Sequence, residues 1–542
     1  MLLIDFLPVI AVCFGTWLLS RRLFHYFQLE SYQFRGFFKT IDRQADKAIL
    51  PGLIFGTVTF LLLLPASAVF SGLHTTLAYI LSGAALSILV AGTAYIICRK
   101  LRKSKEKKPF RITSRIKRLY FWLAVILSAV GIIIKLIFVP DLINAGIKIT
   151  VLSLIPLFLP LWATLAGLLA IPLEKLIYEM YFRDAQKKLL SNDRLIRIGI
   201  TGSFGKTSTK FILSEMLSQK YNVLATPASY NTPMGLTSII RSRLTPAHQV
   251  FIAEMGARHP KDITELCRLV HPAIGILTSI GPQHLDTFKT LETIKNTKYD
   301  LIRSLPPDGL SVFANDDGIV RELYDITEKP KLLAGKEDSD AWATDISVDG
   351  HGSSFVLHLR GQNPVPCTTP LLGKHNIANI VLSAALACKL GVAPRQIQTA
   401  VSQLKPVEHR MKIVSNAGGI TVIDDAFNTN PVSSKAALDV LKMFPQKRII
   451  VTPGMVELGA DETKFNHEFG EYMADCVDIA FLIGRKHTEP IREGLLSKGF
   501  DEGSIFSFNH LDDAVAALKG IAVSGDTVMY ENDLPDSYSE GE

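Results

Sequence analysis

Residues 198–210 read I-G-I-T-G-S-F-G-K-T-S-T-K. An apolar run (Leu195, Ile196, Ile198, Ile200) enters this stretch, and Phe211, Ile212, Leu213, Met216 and Leu217 leave it with helical spacing. A strand, a glycine turn and a helix N-terminus in that order form a cradle for an anion. Backbone N–H groups and the positive end of the helix dipole point at the same spot. Gly202 and Gly205 permit the tight turn, Lys206 can reach β/γ-phosphates and Thr207 can ligate magnesium. Ile200 stands where a full Walker loop has its first glycine, so the spacing is a shortened form of that motif.

Toward the N-terminus the chain changes character. Of 542 residues, 48% are hydrophobic, and five apolar runs reach the ~20 residues that a bilayer span requires. They are Leu2–Ser20, Leu50–Phe70, Leu73–Ile97, Leu119–Val139 and Ile149–Leu173. The first lacks a basic n-region and a small-residue cleavage site, and reads as a retained anchor rather than a signal peptide. The net charge of +7 does not indicate nucleic acid, because it is concentrated: Arg99–Arg118 holds eleven Lys/Arg and one Glu between two apolar runs. With six basic residues in Arg21–Lys47 and none in Ser71–Gly72 or Pro140–Gly146, the asymmetry predicts a multi-pass protein of the cytoplasmic membrane. Its N-terminus lies outside and its C-terminal domains lie in the cytoplasm. Pro156, Pro160 and Pro172 predict kinks in the fifth span, and Glu174–Asn192 reads as a charged linker helix. The six cysteines are scattered, with neither zinc nor disulfide spacing.

Toward the C-terminus strands and helices alternate. Val250–Glu254 is an apolar strand ending in a carboxylate, Ala273–Ser279 a second strand and Ser311–Asn315 a third. That alternation predicts a mostly parallel α/β sheet with ligands at the carboxyl ends of its strands. Ile449–Thr452, Ile479–Ile483 and Thr527–Tyr530 predict a second, smaller α/β unit. The expected division is a membrane region over 1–183, an ATP-binding domain over 184–406 and a C-terminal domain over 407–542. Glu254 is placed to hold magnesium opposite the loop, although alone it reads equally as a salt-bridge residue. Alone, His284 and Lys298 read as structural and surface residues.

The motifs gain weight from their order. T-G-S-F-G-K-T-S is followed by Y-N-T-P-M-G (230–235), E-M-G-A (254–257), T-S-I-G-P-Q-H-L-D (278–286), N-T-K (296–298) and G-K-H-N-I-A-N (373–379). E-H-R-M-K-I (408–413) and V-I-D-D-A-F-N-T-N-P (422–431) come next. From Arg194 to Ser524 this series resembles the Mur ligase family, most closely the type that adds D-alanyl-D-alanine to a UDP-muramoyl tripeptide. The resemblance implies an ATP-dependent, ADP-forming acid–amino-acid ligase that works through an acyl phosphate. It implies that Gly202, Ser203, Gly205, Lys206, Thr207 and Ser208 bind the ATP phosphates, and that Thr207, Glu254 and His284 bind two magnesium ions. Lys298 matches a lysine carried as a CO₂ carbamate that serves as a metal ligand. Asn231 faces the γ-phosphate and the acyl group, Asn376, Asn379 and Arg410 contact the nucleotide, and Asp425 holds the ribose while Asn428 and Asn430 order the site. Val407–Lys412 matches the hinge.

Three departures accompany the likeness. Pro453–Met455 replaces a usual G-D-M, Tyr530–Asp536 replaces a K-G-S-type segment, and apolar spans stand where the family has a uridine-nucleotide-binding domain. The expected donor is a cell-wall precursor or lipid-linked carboxylate at the bilayer, and the amine an amino acid or dipeptide. A poly-γ-glutamate-type capsule synthetase and a non-catalytic ATP-binding scaffold for cell-wall enzymes are the alternatives. Which amine is added, and the oligomeric state, are not legible.

Overall fold

The computed structural model describes residues 7–30, 32–71, 76–101, 109–137, 142–315, 318–415, 417–427 and 429–534. Asn428 and the middle of the basic 99–118 segment lie outside these residues. The chain divides into two units, Met1–Tyr178 and Glu179–Glu542.

The first unit is helical. Among the described residues, five segments are long and apolar enough to cross a membrane: Leu7–Leu29, Ala45–Pro65, Leu81–Lys100, Ser114–Ile137 and Gly146–Leu190. Val12, Phe24, Phe37, Phe55, Val90 and Leu123 pack between them, and Phe27 stacks on Phe37 with ring centroids 3.7 Å apart. Leu61, Ile88, Ile96, Phe121 and Leu136 face outward, as a lipid-facing surface would. The basic stretch after the first apolar run folds into short helices, Arg21–Leu29 and Phe34–Arg43, and is not an open loop. The fifth span breaks at Pro156, where the helix Leu142–Leu154 passes into a 3₁₀ turn over Ile155–Phe158. One proline expectation needs correction: Pro160 occupies the second position of a new helix, where its missing N–H costs nothing. Pro172 lies inside that helix, which continues through it. The separate linker helix expected over 174–192 is the second half of this same helix, Leu159–Leu190.

The second unit holds two sheets. The larger has β1 (Ile196–Thr201), β2 (Val223–Ala225), β3 (Val250–Glu254), β4 (Ile274–Leu277), β5 (Leu310–Ala314), β6 (Lys331–Gly335), β7 (Ala341–Asp349), β8 (Gly352–Leu359) and β9 (Val365–Thr369). Its order is β2-β3-β1-β4-β5-β6-β7-β8-β9, parallel from β2 through β7 and antiparallel thereafter. The parallel strands are apolar on both faces because helices cover both. Ile198, Ile200 and Ile252 meet Ile212, Leu213 and Met216 of the helix Lys206–Leu217, and Ile377, Ile380 and Val381 of the helix Lys374–Lys389. Each such fully buried aliphatic side chain contributes about 1.5–3 kcal/mol, so the loop between β1 and its helix is anchored at both ends.

The smaller sheet has β10 (Lys412–Ser415), β11 (Thr421–Asp425), β12 (Arg448–Thr452), β13 (Ile479–Ile483), β14 (Ile505–Phe508) and β15 (Thr527–Glu531), in the order β10-β11-β15-β12-β13-β14. Only β10 runs antiparallel. The last strand is inserted between β11 and β12, so three strand ends stand side by side: Asp425, Glu531 and Thr452.

Candidate active site

The glycine turn is held by the strand next to it. Thr278 Oγ1 donates to the Phe204 carbonyl at 2.6 Å, Phe204 N–H donates to Ser279 Oγ at 2.8 Å, and Ser203 N–H donates to the Ser279 carbonyl at 2.9 Å. Ser203 Oγ also donates to the Gly281 carbonyl and accepts its N–H, both at 2.9 Å. The T-S-I-G segment thus forms the second wall of the cradle. Gly205 caps the helix in the left-handed region at φ +80°, where a side chain would also meet Asn379 Oδ1 at 2.7 Å.

Lys206 bends back over the loop and donates to the carbonyls of Gly202 (2.7 Å) and Ser203 (3.0 Å). Burial lowers its pKa to about 8, with Glu254 opposing and Arg410 adding to the effect. An anion in the cradle would reverse that shift, so the loop suits a polyphosphate. Lys298, on the helix Leu291–Arg303, is fully buried and donates to the same Gly202 carbonyl at 2.9 Å. Burial, and then the Lys206 charge, hold its amine well below the usual lysine range.

Glu254, at the end of β3, collects three donors. Thr207 Oγ1 and Asn231 Nδ2 reach Oε1 at 3.1 Å each, and Lys210 Nζ reaches Oε2 at 2.9 Å. Lys210 is fully buried, bonds the Ala228 carbonyl as well, and has Phe211 beneath it at 4.5 Å. This ion pair escaped the sequence reading. Its one available signal was position: Lys210 follows Lys206 and Thr207 by one helical turn on the same face.

The structure gathers Lys206, Thr207, Asn231, Glu254 and Lys298 around the loop. His284 lies within electrostatic reach of Lys298, but its backbone is left-handed (φ +52°), and its Nδ1 meets the carboxylate of Glu457, which Arg258 approaches at 3.8 Å. Burial lowers the imidazole pKa, with Glu457 opposing. Among the described residues no three His, Cys, Asp or Glu side chains gather as a metal cage. Thr207, Glu254 and Lys298 have the chemistry to bind magnesium if the lysine carries a carboxylate-like group. Asn379 Oδ1 accepts from Thr209 at 3.2 Å beside Gly205, whereas Asn376 is buried and donates to the Leu372 carbonyl just before its helix. Ser208 lies half-buried on the first turn.

Just before the smaller sheet, Arg410 lies half-buried over the Phe427 ring at 4.6 Å. Burial lowers its pKa, and Asp425 and Glu254 are its countercharges. Asp425 accepts the Met411 N–H at 3.0 Å, and burial with the adjacent Glu531 pushes its carboxyl up to about 7. Asn430 caps the helix Pro431–Leu441 through the N–H groups of Val432 and Ser433. Burial and then Arg410 hold the His375 imidazole down at about 4. Glu457, His375 and Glu531 lie within segments that the sequence marks, M-V-E-L-G, G-K-H-N-I-A-N and Tyr530–Asp536, but none of the three had a role legible there.

Residues 200–387 match the Mur ligase middle domain and residues 409–530 the Mur ligase glutamate ligase domain. The UDP-N-acetylmuramoyl-tripeptide–D-alanyl-D-alanine ligase of Bacillus subtilis is 29% identical over 338 residues, covering 62% of this chain and 72% of that protein. Its counterpart in Mycobacterium bovis is 31% identical over 355 residues, covering 61% and 69%. The fold is shared with MurF from Acinetobacter baumannii (TM-score 0.61, 24% identity, 67% of this chain and 78% of that one). MurF from Thermotoga maritima in complex with ADP gives a TM-score of 0.59 at 24% identity, over 66% and 80%. The N-terminal region holds apolar helices in place of the family's own N-terminal domain. With its cradle, buried lysines and two matched domains, the chain belongs to the Mur ligase family of ATP-dependent, ADP-forming ligases.

Proposed function

We propose that this is a membrane-anchored ligase that joins an amine to a carboxylate through an acyl phosphate, in cell-wall or envelope polymer synthesis. The carboxylate donor sits at the bilayer, lipid-linked or membrane-associated. One observation carries this reading: a Mur-type phosphate cradle shares its chain with five helices long and apolar enough to cross a membrane. The relatives act on a UDP-linked muramoyl tripeptide by name, which supplies the class of donor, a peptidyl carboxylate. Multi-pass topology with cytoplasmic catalytic domains follows from the Lys/Arg asymmetry.

In this reading the donor carboxylate attacks the γ-phosphorus of ATP and ADP leaves. Lys206, freed from the Gly202 and Ser203 carbonyls, offsets charge on the transferring group, and Asn231 orients the acyl side. Thr207, Glu254 and Lys298 as its carbamate would hold the metal, and His284 would be a further ligand. Magnesium bound there supplies charge neutralisation for phosphoryl transfer. The buried, largely unprotonated Lys298 amine is the form that adds CO₂. Arg410 and Asp425 position the nucleotide from the hinge side, with Asn376 and Asn379 lining the other. The amine then attacks the acyl carbon and phosphate leaves.

The test measures ADP release by the full-length protein in detergent, with membrane extract or soluble UDP-muramoyl peptide as donor and Lys206→Ala as the blank. Release that depends on membrane extract is expected. Equal release with the soluble peptide would overturn the membrane-donor reading.

A further inference from the structure

Two residues with left-handed backbones meet where the C-terminal domain touches the larger sheet's domain. His284 (φ +52°) follows β4, and Glu457 (φ +65°) lies in the segment after β12. That region of φ is uncommon for residues with side chains and persists only where the surroundings hold it. Three groups from the larger sheet's domain grip Glu457. His284 Nδ1 hydrogen-bonds one carboxylate oxygen, Arg258 stands 3.8 Å from the other, and the Asp286 N–H donates to the Glu457 carbonyl at 3.3 Å. Both side chains of the pair are largely withdrawn from water. An ordinary surface ion pair would be worth little and would not require two residues in so restricted a conformation.

The chemistry of the pair points to a purpose. A carboxylate accepts hydrogen bonds and donates none, so the shared hydrogen belongs to Nδ1. The imidazole is thereby fixed as the tautomer whose Nε2 keeps its lone pair. In metal sites a ligating histidine is held in this way, by a carboxylate on its far nitrogen that orients the ring and raises its basicity. The ring also lies within electrostatic reach of Lys298, at the border of the group formed by Thr207, Glu254 and Lys298.

Resting on the reading of His284 as a further magnesium ligand, we propose that Glu457 is its positioning residue: the C-terminal domain supplies the carboxylate that orients the imidazole for the metal. Thr207, Glu254, His284 and Lys298 all come from the larger sheet's domain, and Glu457 alone comes from the other. Metal binding at His284 and docking of the C-terminal domain therefore favour each other by the same factor. An undocked domain leaves the other three ligands in place and the histidine without its guide.

The experiment counts manganese(II) bound to the full-length protein in detergent by electron paramagnetic resonance, with bicarbonate and β,γ-methylene-ATP present. The wild type is expected to bind two ions. Glu457→Ala should weaken one of them about tenfold, the usual loss when such a carboxylate is removed, and leave the other unchanged. Glu457→Gln keeps the shape and an acceptor oxygen, should show a smaller loss, and carries the test if Glu457→Ala does not fold. His284→Ala should lose the same ion, and adding Glu457→Ala to it should cost nothing further. Full affinity for both ions in the Glu457 variants would overturn the proposal, as would an equal loss at both, which marks a packing defect. In turnover, Glu457→Ala should raise the magnesium concentration for half-activation about tenfold, with a smaller change in kcat at saturating magnesium. A fall in kcat with an unmoved magnesium requirement would also overturn the positioning role. A single ion in the wild type, or both ions retained in His284→Ala, would instead defeat the ligand reading on which the proposal rests.

Discussion

Two buried carboxylates end parallel strands in this molecule, and they are provided for very differently. Glu254, at the end of β3, has a lysine, a threonine and an asparagine on its two oxygens. Glu531, at the end of β15, has no cation beside it, only the hydroxyls of Thr452, on Oε2 at 2.8 Å, and Thr429. A buried charge is stable only when paired and hydrogen-bonded. The first is therefore a finished part of the ATP edge, with its counter-ion built into the helix that carries the phosphate loop. The second has no counter-ion, and burial instead pushes its carboxyl up to about 7, so that a proton offsets the charge.

The largest effect should come from the finished edge. Lys206→Ala removes the cation that faces the transferring phosphoryl group, and ADP release should fall at least a hundredfold, by about 3 kcal/mol or more of transition-state stabilisation. Retained turnover would mean that the two edges do not divide the work as described. Lys298→Ala should abolish turnover comparably, and bicarbonate depletion of the wild type should reproduce part of that loss; indifference to both would remove the carbamate. Lys210→Met strands Glu254 as an unpaired buried charge and should cost about 3–5 kcal/mol, read as a lowered urea midpoint. Adding Glu254→Gln should restore part of that stability, which a purely steric defect would not allow.

Smaller still is the pH effect at the unfinished edge. The Glu531 carboxyl stands at about 7 in the folded protein against an ordinary 4.5. The folded state therefore binds the proton more tightly, and its stabilising contribution is full below pH ~4.5 and lost as pH rises through about 7. Glu531→Gln should flatten the fall in Tm between those pH values, and parallel curves for the two proteins would show that the group does not titrate there. The raised Asp425 carboxyl contributes in the same direction, so some slope should remain.

Legibility in the sequence followed the range of the interactions. The phosphate loop, β3 with its terminal Glu254 and the apolar runs are local patterns, and each was readable from spacing alone. The mostly parallel sheet was readable as well, but its antiparallel extension was not, even though β8 alternates buried and half-buried side chains in the manner of a half-covered strand. Lys210 hid in plain view because a lysine on a helix gives no sign of burial until Glu254, 44 residues later, folds against it. The Glu457 contact of His284 spans 173 residues, and the alignment of Asp425 with Glu531 depends on the last strand inserting between β11 and β12. Pro160 shows the limit of a local rule: at the second position of a helix a proline costs no hydrogen bond, and the break falls at Pro156 instead.

The wall formed by Thr278, Ser279 and Gly281 has a consequence for the thermodynamics of nucleotide binding. Because Ser203 and Phe204 are tied to it at several points, the loop has little conformational entropy left to surrender when a polyphosphate arrives. Affinity then depends on charge and displaced water rather than on ordering the chain. Loosening the wall, as Thr278→Val would, should weaken ATP binding through a more unfavourable binding entropy, measurable by calorimetry, although that methyl group touches no phosphate.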